Sequence, residues 1–287
     1  MVTFLTAGPN PSVVTCGGSP DSNSPLLGNC LLLDTEDHAW KAGVIGEFMP
    51  SRNTHPAVVT MPVGVYVIGG MTNQKSMELL SAGETHWRVV SELPVIMKAP
   101  CAVKISERRF LAIFGKDIFE FDTEWFSQIS KDGWSDTNAY PKLRTSRDAW
   151  PGCARLGSKV IISGGGWKDG GTSNKPTRIN IDGDPIFGTW QSHKSTEILD
   201  LTTKTLTSGG DMTEPRRMFH ILNLDNKLVA IGGVDNSGWV SGNPSSRSVE
   251  EWDPSTSTWS KSETRLSEER ATFGAVVVSE ELVCRRH

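Results

Sequence analysis

Four short apolar runs in this sequence end in a pair of glycines, and the spacing of those pairs limits the fold more than any other feature. They are Val13-Val14-Thr15-Cys16-Gly17-Gly18, Val65-Tyr66-Val67-Ile68-Gly69-Gly70, Val160-Ile161-Ile162-Ser163-Gly164-Gly165 and Leu228-Val229-Ala230-Ile231-Gly232-Gly233. A fifth run, Phe110-Leu111-Ala112-Ile113-Phe114-Gly115, keeps one glycine. The first glycines stand at 17, 69, 115, 164 and 232, which divides the chain into five units of about fifty residues. Each run has the length and apolar, β-branched composition of a strand buried on both faces. A helix is the poorer reading because the runs are too short and glycine stops them.

Two more signals recur in step with the doublets. Upstream, Arg52, Arg147, Arg217 and Arg270 each stand three residues before His55, Trp150, His220 and Phe273, a pattern that reads as a turn feeding a first strand. Downstream, Asp34 and Asp253 stand six residues before Trp40 and Trp259, and Ser81 keeps the same distance from Trp87. Asp200 finds Leu206 at that distance, and Asp122 has Trp125 and Trp134 nearby but neither at six. Each unit therefore reads as four antiparallel strands joined by short polar turns. Such a unit cannot bury both faces alone, and packing neighbours around an axis solves this. The expected architecture is all-β, a six-bladed propeller forming one domain, with blades at 1–48, 49–96, 97–143, 144–212 and 213–266 and a half blade at 267–287.

These residues resemble the kelch repeat family: the doublets, Ser195-x-Glu197-x-x-Asp200, the strand Ser248-Val249-Glu250-Glu251-Trp252-Asp253, and Trp259. The resemblance covers nearly the whole chain. It departs in the third unit, where one glycine remains and Lys98 replaces the arginine, and in the fourth, which lacks the outer tryptophan.

Arg270 to Val278 and Leu282 to Arg286 supply only an inner strand pair to the last blade. The first unit already uses Met1 to Thr6 and Val13 to Cys16 as its own. An open blade leaves edge strands unprotected, so the expectation is an additional N-terminal segment or a dimer partner that completes it. The five cysteines form no CxxC pair, and no metal or cofactor is expected. Cys16 ends the second strand of its unit and Cys30 opens the third, which makes them a candidate disulfide or a pair of half-buried thiols. Cys101 and Cys153 read as buried free thiols. No secretory leader is visible, so the default compartment is cytoplasmic, and extracellular if Cys16 and Cys30 are bonded.

Composition narrows the partners. With 29 basic against 33 acidic residues there is no cationic excess for a nucleic-acid backbone, and no apolar window is long enough to enter a membrane. Two long segments follow doublets: Gly166 to Lys194, carrying Trp167 and Trp190, and Val234 to Arg247, around Trp239. Loops of that length are commonly functional. The family resemblance implies that these loops share one face with the segments leading into the first strands, and that Arg52, Arg147, Arg217 and Arg270 ring that face and contact acidic ligands. Tryptophan and arginine are enriched in interface anchors. The recurring arginines have a structural alternative, as donors bridging neighbouring blades.

The expectation is therefore a non-catalytic module that binds a partner protein or acidic peptide. No nucleophile elbow, zinc-hydrolase signature or phosphate loop occurs. Only Tyr66 and Tyr140 are available for phenol chemistry, too few for a copper-oxidase site. The alternatives are a propeller enzyme acting on a sugar and an extracellular recognition domain stabilised by disulfides.

Overall fold

The structure, a computed structural model, describes residues 2–5, 13–16, 30–33, 40–42, 55–70, 75–124, 133–134, 139–168, 178–179, 185–186, 190–235, 246–271 and 275–277. Among these residues every regular element is a strand and every strand pairing is antiparallel. The chain divides into two compact units, Met1–Lys142 with Thr272–His287, and Leu143–Ala271.

The first unit holds three sheets. β1 (Val2–Leu5), β2 (Val13–Cys16), β3 (Cys30–Leu33) and β4 (Trp40–Ala42) pair in chain order, as do β5 (Ala57–Met61), β6 (Gly64–Ile68), β7 (Ser76–Ser81) and β8 (Trp87–Glu92). The third sheet contains β9 (Cys101–Lys104), β10 (Arg109–Phe114) and β11 (Asp117–Asp122), and Trp134 bridges to Phe121 where a fourth strand would lie. Of the two tryptophans near Asp122, Trp134 is thus the one seen to occupy the outer position.

Burial follows each strand's place in its sheet. All five residues of β6 are buried, whereas β8, at the edge, alternates toward solvent. Between the second and third sheets an aromatic cluster forms: Phe110 lies 5.3 Å from Tyr66 and 5.1 Å from Phe121, and Trp134 meets Phe121 at 5.1 Å. The Trp134 indole is not left unpaired there, since its Nε1 donates to Ser91 Oγ at 3.2 Å.

The second unit holds two larger sheets. In one, β12 (Ala149–Leu156), β13 (Lys159–Lys168), β17 (Thr196–Asp200) and β18 (Thr205–Gly209) pair in that order. β13 runs past its doublet, and its far end pairs with β16 (Trp190–Ser192). A two-residue pairing of β14 (Arg178–Ile179) with β15 (Pro185–Ile186) lies between them in sequence. In the other sheet, β19 (His220–Leu224), β20 (Lys227–Ile231), β21 (Ser248–Asp253) and β22 (Thr258–Arg265) pair in order. Ile161 and Ile198 from the first sheet pack with Phe219, Leu228, Trp252 and Trp259 from around the second. The expected half blade at 267–287 lies outside the described residues except for 267–271 and 275–277.

Candidate functional site

The doublets do more than end strands. In three blades the second glycine donates its N–H to a carbonyl of the segment leading into the next blade: Gly70 to Met97 at 3.1 Å, Gly165 to Arg216 at 2.8 Å, Gly233 to Arg270 at 2.7 Å. The first glycine makes room for that approach. A Cβ on Gly164, where φ is +61°, would sit 2.6 Å from the Arg216 carbonyl, and one on Gly69 would sit 2.5 Å from the Met97 carbonyl. Each pair is therefore a latch between one blade and the next.

In the segments leading into the fourth and fifth blades the arginines turn inward. Arg147 is fully buried: its guanidinium donates to the Gly164 carbonyl, to Ser195 Oγ at 3.1 Å and to Glu197 Oε1 at 3.3 Å. Glu197 also accepts from the backbone N–H groups of Arg144 and Thr145. The next blade repeats this clasp with Arg216, not Arg217. Arg216 reaches the Gly232 carbonyl at 2.8 Å and pairs with Glu250, which accepts from the N–H groups of Thr213 and Glu214. Glu78, in the matching position of β7, is buried as well.

The register of the sequence pattern is therefore corrected. His55, Ala99, Trp150 and Met218 share the left-handed backbone, with φ of 57°, 49°, 54° and 58°. Met218, not His220, is the counterpart of His55 in the fifth blade. Arg217 is buried too, donating to Ser192 Oγ at 2.6 Å and to the Asp235 carbonyl at 2.8 Å. Burial pulls the pKa of both Arg147 and Arg217 below the ordinary guanidinium value, with Glu197 and Asp235 pulling the other way.

Of the four expected ring residues, then, Arg147 and Arg217 point into the protein and bond within it. Arg270 is exposed and paired with Glu268 at 2.6 Å. Arg52 and Trp239 lie outside the described residues. Trp167 and Trp190 are brought near each other by backbone pairing, Trp167 opposite Gln191 and Trp190 opposite Lys168. His193, which no sequence pattern singled out, ties this arm down. Its N–H donates to the Gly165 carbonyl, its carbonyl accepts from Arg216 N–H, and its Nε2 lies 3.1 Å from the Ser146 carbonyl. Burial and the neighbouring Arg147 charge lower its pKa.

At the other end of the same strands, a cleft of about 420 Å³ opens between the two sheets of the second unit. Ile161, Ile198 and Trp252 line its depth. The β12–β13 turn at 156–159, Asn226 from the β19–β20 turn, and Pro254 and Ser257 from the β21–β22 turn form its mouth.

Cys16 and Cys30 stand opposite each other in the β2–β3 ladder and are joined by a disulfide, with 4.1 Å between their Cα atoms. Both are buried against Val65, Val67 and Leu80 of the next sheet. Cys101 and Cys153 are also disulfide-bonded, which corrects the expectation of free thiols.

Residues 215–264, in the fifth blade, match the model of the Kelch motif. No curated protein matches the chain. By structure 242 solved chains match it, and a fold that widely shared selects no single chemistry. One of them, the structure of YjhT, is similar over 91% of this chain and 83% of its own, with a TM-score of 0.64 and 11% sequence identity. The expectation of a non-catalytic protein-interaction module does not stand. The likeness to YjhT supports no such role, and two of the arginines meant to receive an acidic partner are consumed in the blades. The fifth blade carries a Kelch motif, the fourth repeats its doublet and its clasp, and the fold is that of a kelch-type β-propeller.

Proposed function

We propose that the protein is a disulfide-braced kelch propeller of an oxidising compartment and that it acts on a sugar. The observation that carries the reading is the state of the cysteines: all four described ones, Cys16, Cys30, Cys101 and Cys153, are oxidised. Disulfides persist in secreted, luminal and surface proteins and are rare where glutathione keeps thiols reduced. Glycans are presented in those compartments. Sugar is also the ligand class that the described surface favours once the arginine ring is withdrawn, because the cleft offers hydroxyl and amide groups around an apolar floor.

Two measurements test this. Protein purified under native conditions is unfolded without reductant and titrated for thiols; at most the Cys284 thiol is expected to react, and five reactive thiols would remove the oxidising compartment. A panel of neutral and acidic mono- and oligosaccharides is then screened by saturation-transfer NMR, with anomeric proton signals followed over time. Binding of one sugar class supports the reading, conversion of the bound sugar makes the protein an enzyme, and a panel without a single binder overturns it.

A further inference from the structure

We infer that the cleft between the fourth and fifth blades, on the hairpin-turn side, is the sugar site, and that it takes one neutral pyranose unit. The inference rests on the sugar-directed reading above and adds a place and a specificity to it. The site lies away from the doublet side, where the long loops led the sequence to put recognition.

The first argument is preorganisation. Trp252, at the bottom of the cleft, packs against Trp259 at 5.2 Å and lies so close to Gly209 that a Cβ there would come within 2.8 Å of its ring. Trp259 is itself held, its Nε1 donating to Thr196 Oγ1 at 3.0 Å. The two sheets are also tied by Asn223, whose Nδ2 donates to the Arg155 carbonyl at 2.7 Å. The volume of about 420 Å³ falls within the roughly 300–1,000 Å³ of small-ligand pockets. The mouth is open at Gly157, where nothing lies within 4 Å of the position a Cβ would take.

The second argument is the chemistry of the rim. Ser158, Asn226 and Ser257 stand around the opening beside Lys159, and among the described residues none of the three neutral side chains is engaged in a hydrogen bond. The charges nearby are already answered. Lys159 stands opposite Asp200 in the β13–β17 ladder and its charge helps to hold that carboxylate's pKa down, Lys227 is bound to Glu251 at 2.5 Å, and Arg155 donates to the Gly157 carbonyl. The Asp253 carboxylate accepts from the Ser255 backbone and hydroxyl. What remains on offer is neutral hydrogen bonding above an apolar floor. That pairing suits a pyranose, with C–H groups on its faces and hydroxyls at its edge, better than an anion or a cation. The open mouth accepts either a free monosaccharide or the terminal unit of a glycan.

The test uses the full chain and methyl glucosides, galactosides and mannosides, each compared with the matching uronic acid and with an oligosaccharide that ends in the same unit. Affinity is measured by calorimetry, and the indole N–H signal of Trp252, assigned with Trp252→Phe, is followed by NMR. Binding of a neutral glycoside is expected to shift that signal in the unmodified protein. Ser158→Trp, on an exposed turn, is expected to weaken binding by at least about tenfold, or 1.4 kcal/mol, while Lys159→Gln leaves the neutral sugar bound. The oligosaccharide arm separates the two sources: equal affinity marks a terminal-unit site, and loss of binding marks a free-sugar site. A neutral sugar that binds without moving Trp252 and binds folded Ser158→Trp normally overturns the cleft as the site and leaves the sugar reading intact. Preference for a uronic acid, lost in Lys159→Gln, overturns the neutral specificity. No binding by the unmodified protein removes both.

Discussion

Arg216 and Glu250 meet at 2.8 Å with neither side chain open to solvent, and the pair holds the segment leading into the fifth blade against that blade's third strand. Arg147 and Glu197 do the same one blade earlier at 3.3 Å. In each case the carboxylate accepts from two backbone N–H groups as well, so an otherwise irregular segment has its polar groups answered.

Removing Glu250 leaves Arg216 buried with only the partly exposed Glu214, at 3.5 Å, to answer its charge, and strips the Thr213 and Glu214 N–H groups of their acceptor. Glu250→Ala is expected to cost about 3–5 kcal/mol of folding stability, read as a lowered urea midpoint. Glu251→Ala, one residue away with its carboxylate on the outside beside Lys227, provides the control and should change little. Equal losses in the two variants would show that the clasp is not what braces the blade.

The doublets make a separable prediction. Gly164 combines a left-handed φ of +61° with the close approach of the Arg216 carbonyl, whereas Gly83 has φ of +80° and nothing within 4 Å of a Cβ. Gly83→Ala should cost only the backbone strain, about 1–2 kcal/mol. Gly164→Ala should cost about 1–3 kcal/mol more, because the added methyl presses on backbone that cannot move without opening the latch. If the two substitutions cost the same, the doublet serves the dihedral alone.

Much of the fold was legible because β strands buried on both faces are short, apolar and glycine-ended, and those properties are local. The Cys16–Cys30 bridge was legible for the same reason, since facing strand ends in one hairpin depend only on register. The arginines were misread because three residues separate Arg52 from His55 and Arg147 from Trp150, and Arg217-x-x-His220 imitates that spacing. The fifth blade is shorter by one residue there, so Arg216 takes the clasp and Met218 the left-handed turn. The cleft could not be read at all. Its walls come from turns at 156–159, 226 and 254–257, which share no motif and meet only after two sheets pack.

His55 gives the chain a pH dependence whose direction follows from its burial. In the folded protein burial lowers its pKa from the ordinary 6.5 to about 4, so the imidazole is neutral there. The unfolded chain takes up a proton below about 6.5. Between these values the unfolded state binds more protons, so stability present above about pH 6.5 is lost as the pH falls toward 4. His193, whose pKa is lowered by burial and by Arg147, acts in the same direction. Urea midpoints measured from pH 7 downward should fall through this window. His55→Asn, which accepts a left-handed backbone and does not titrate, should flatten the profile. Parallel profiles for the two proteins would assign the slope to other groups.

Tyr140 offers a test free of any ligand. Its hydroxyl donates to Glu120 Oε2, while Arg109 holds the other oxygen of that carboxylate at 2.9 Å. Burial comes first and the Glu120 bond and charge second in pushing the phenol pKa well above its ordinary 10. Burial raises Tyr66, the only other tyrosine, to about 12. An ordinary tyrosine ionises near pH 10, so the folded protein should show almost no phenolate absorbance at that pH, and both phenols should appear together only on unfolding. Tyr140→Phe removes a hydrogen bond to a charged acceptor and is expected to cost about 1.5–3 kcal/mol. Phenolate absorbance rising near pH 10 in the folded protein, with Tyr140→Phe as stable as the parent, would show that the Tyr140 hydroxyl does not hold Glu120.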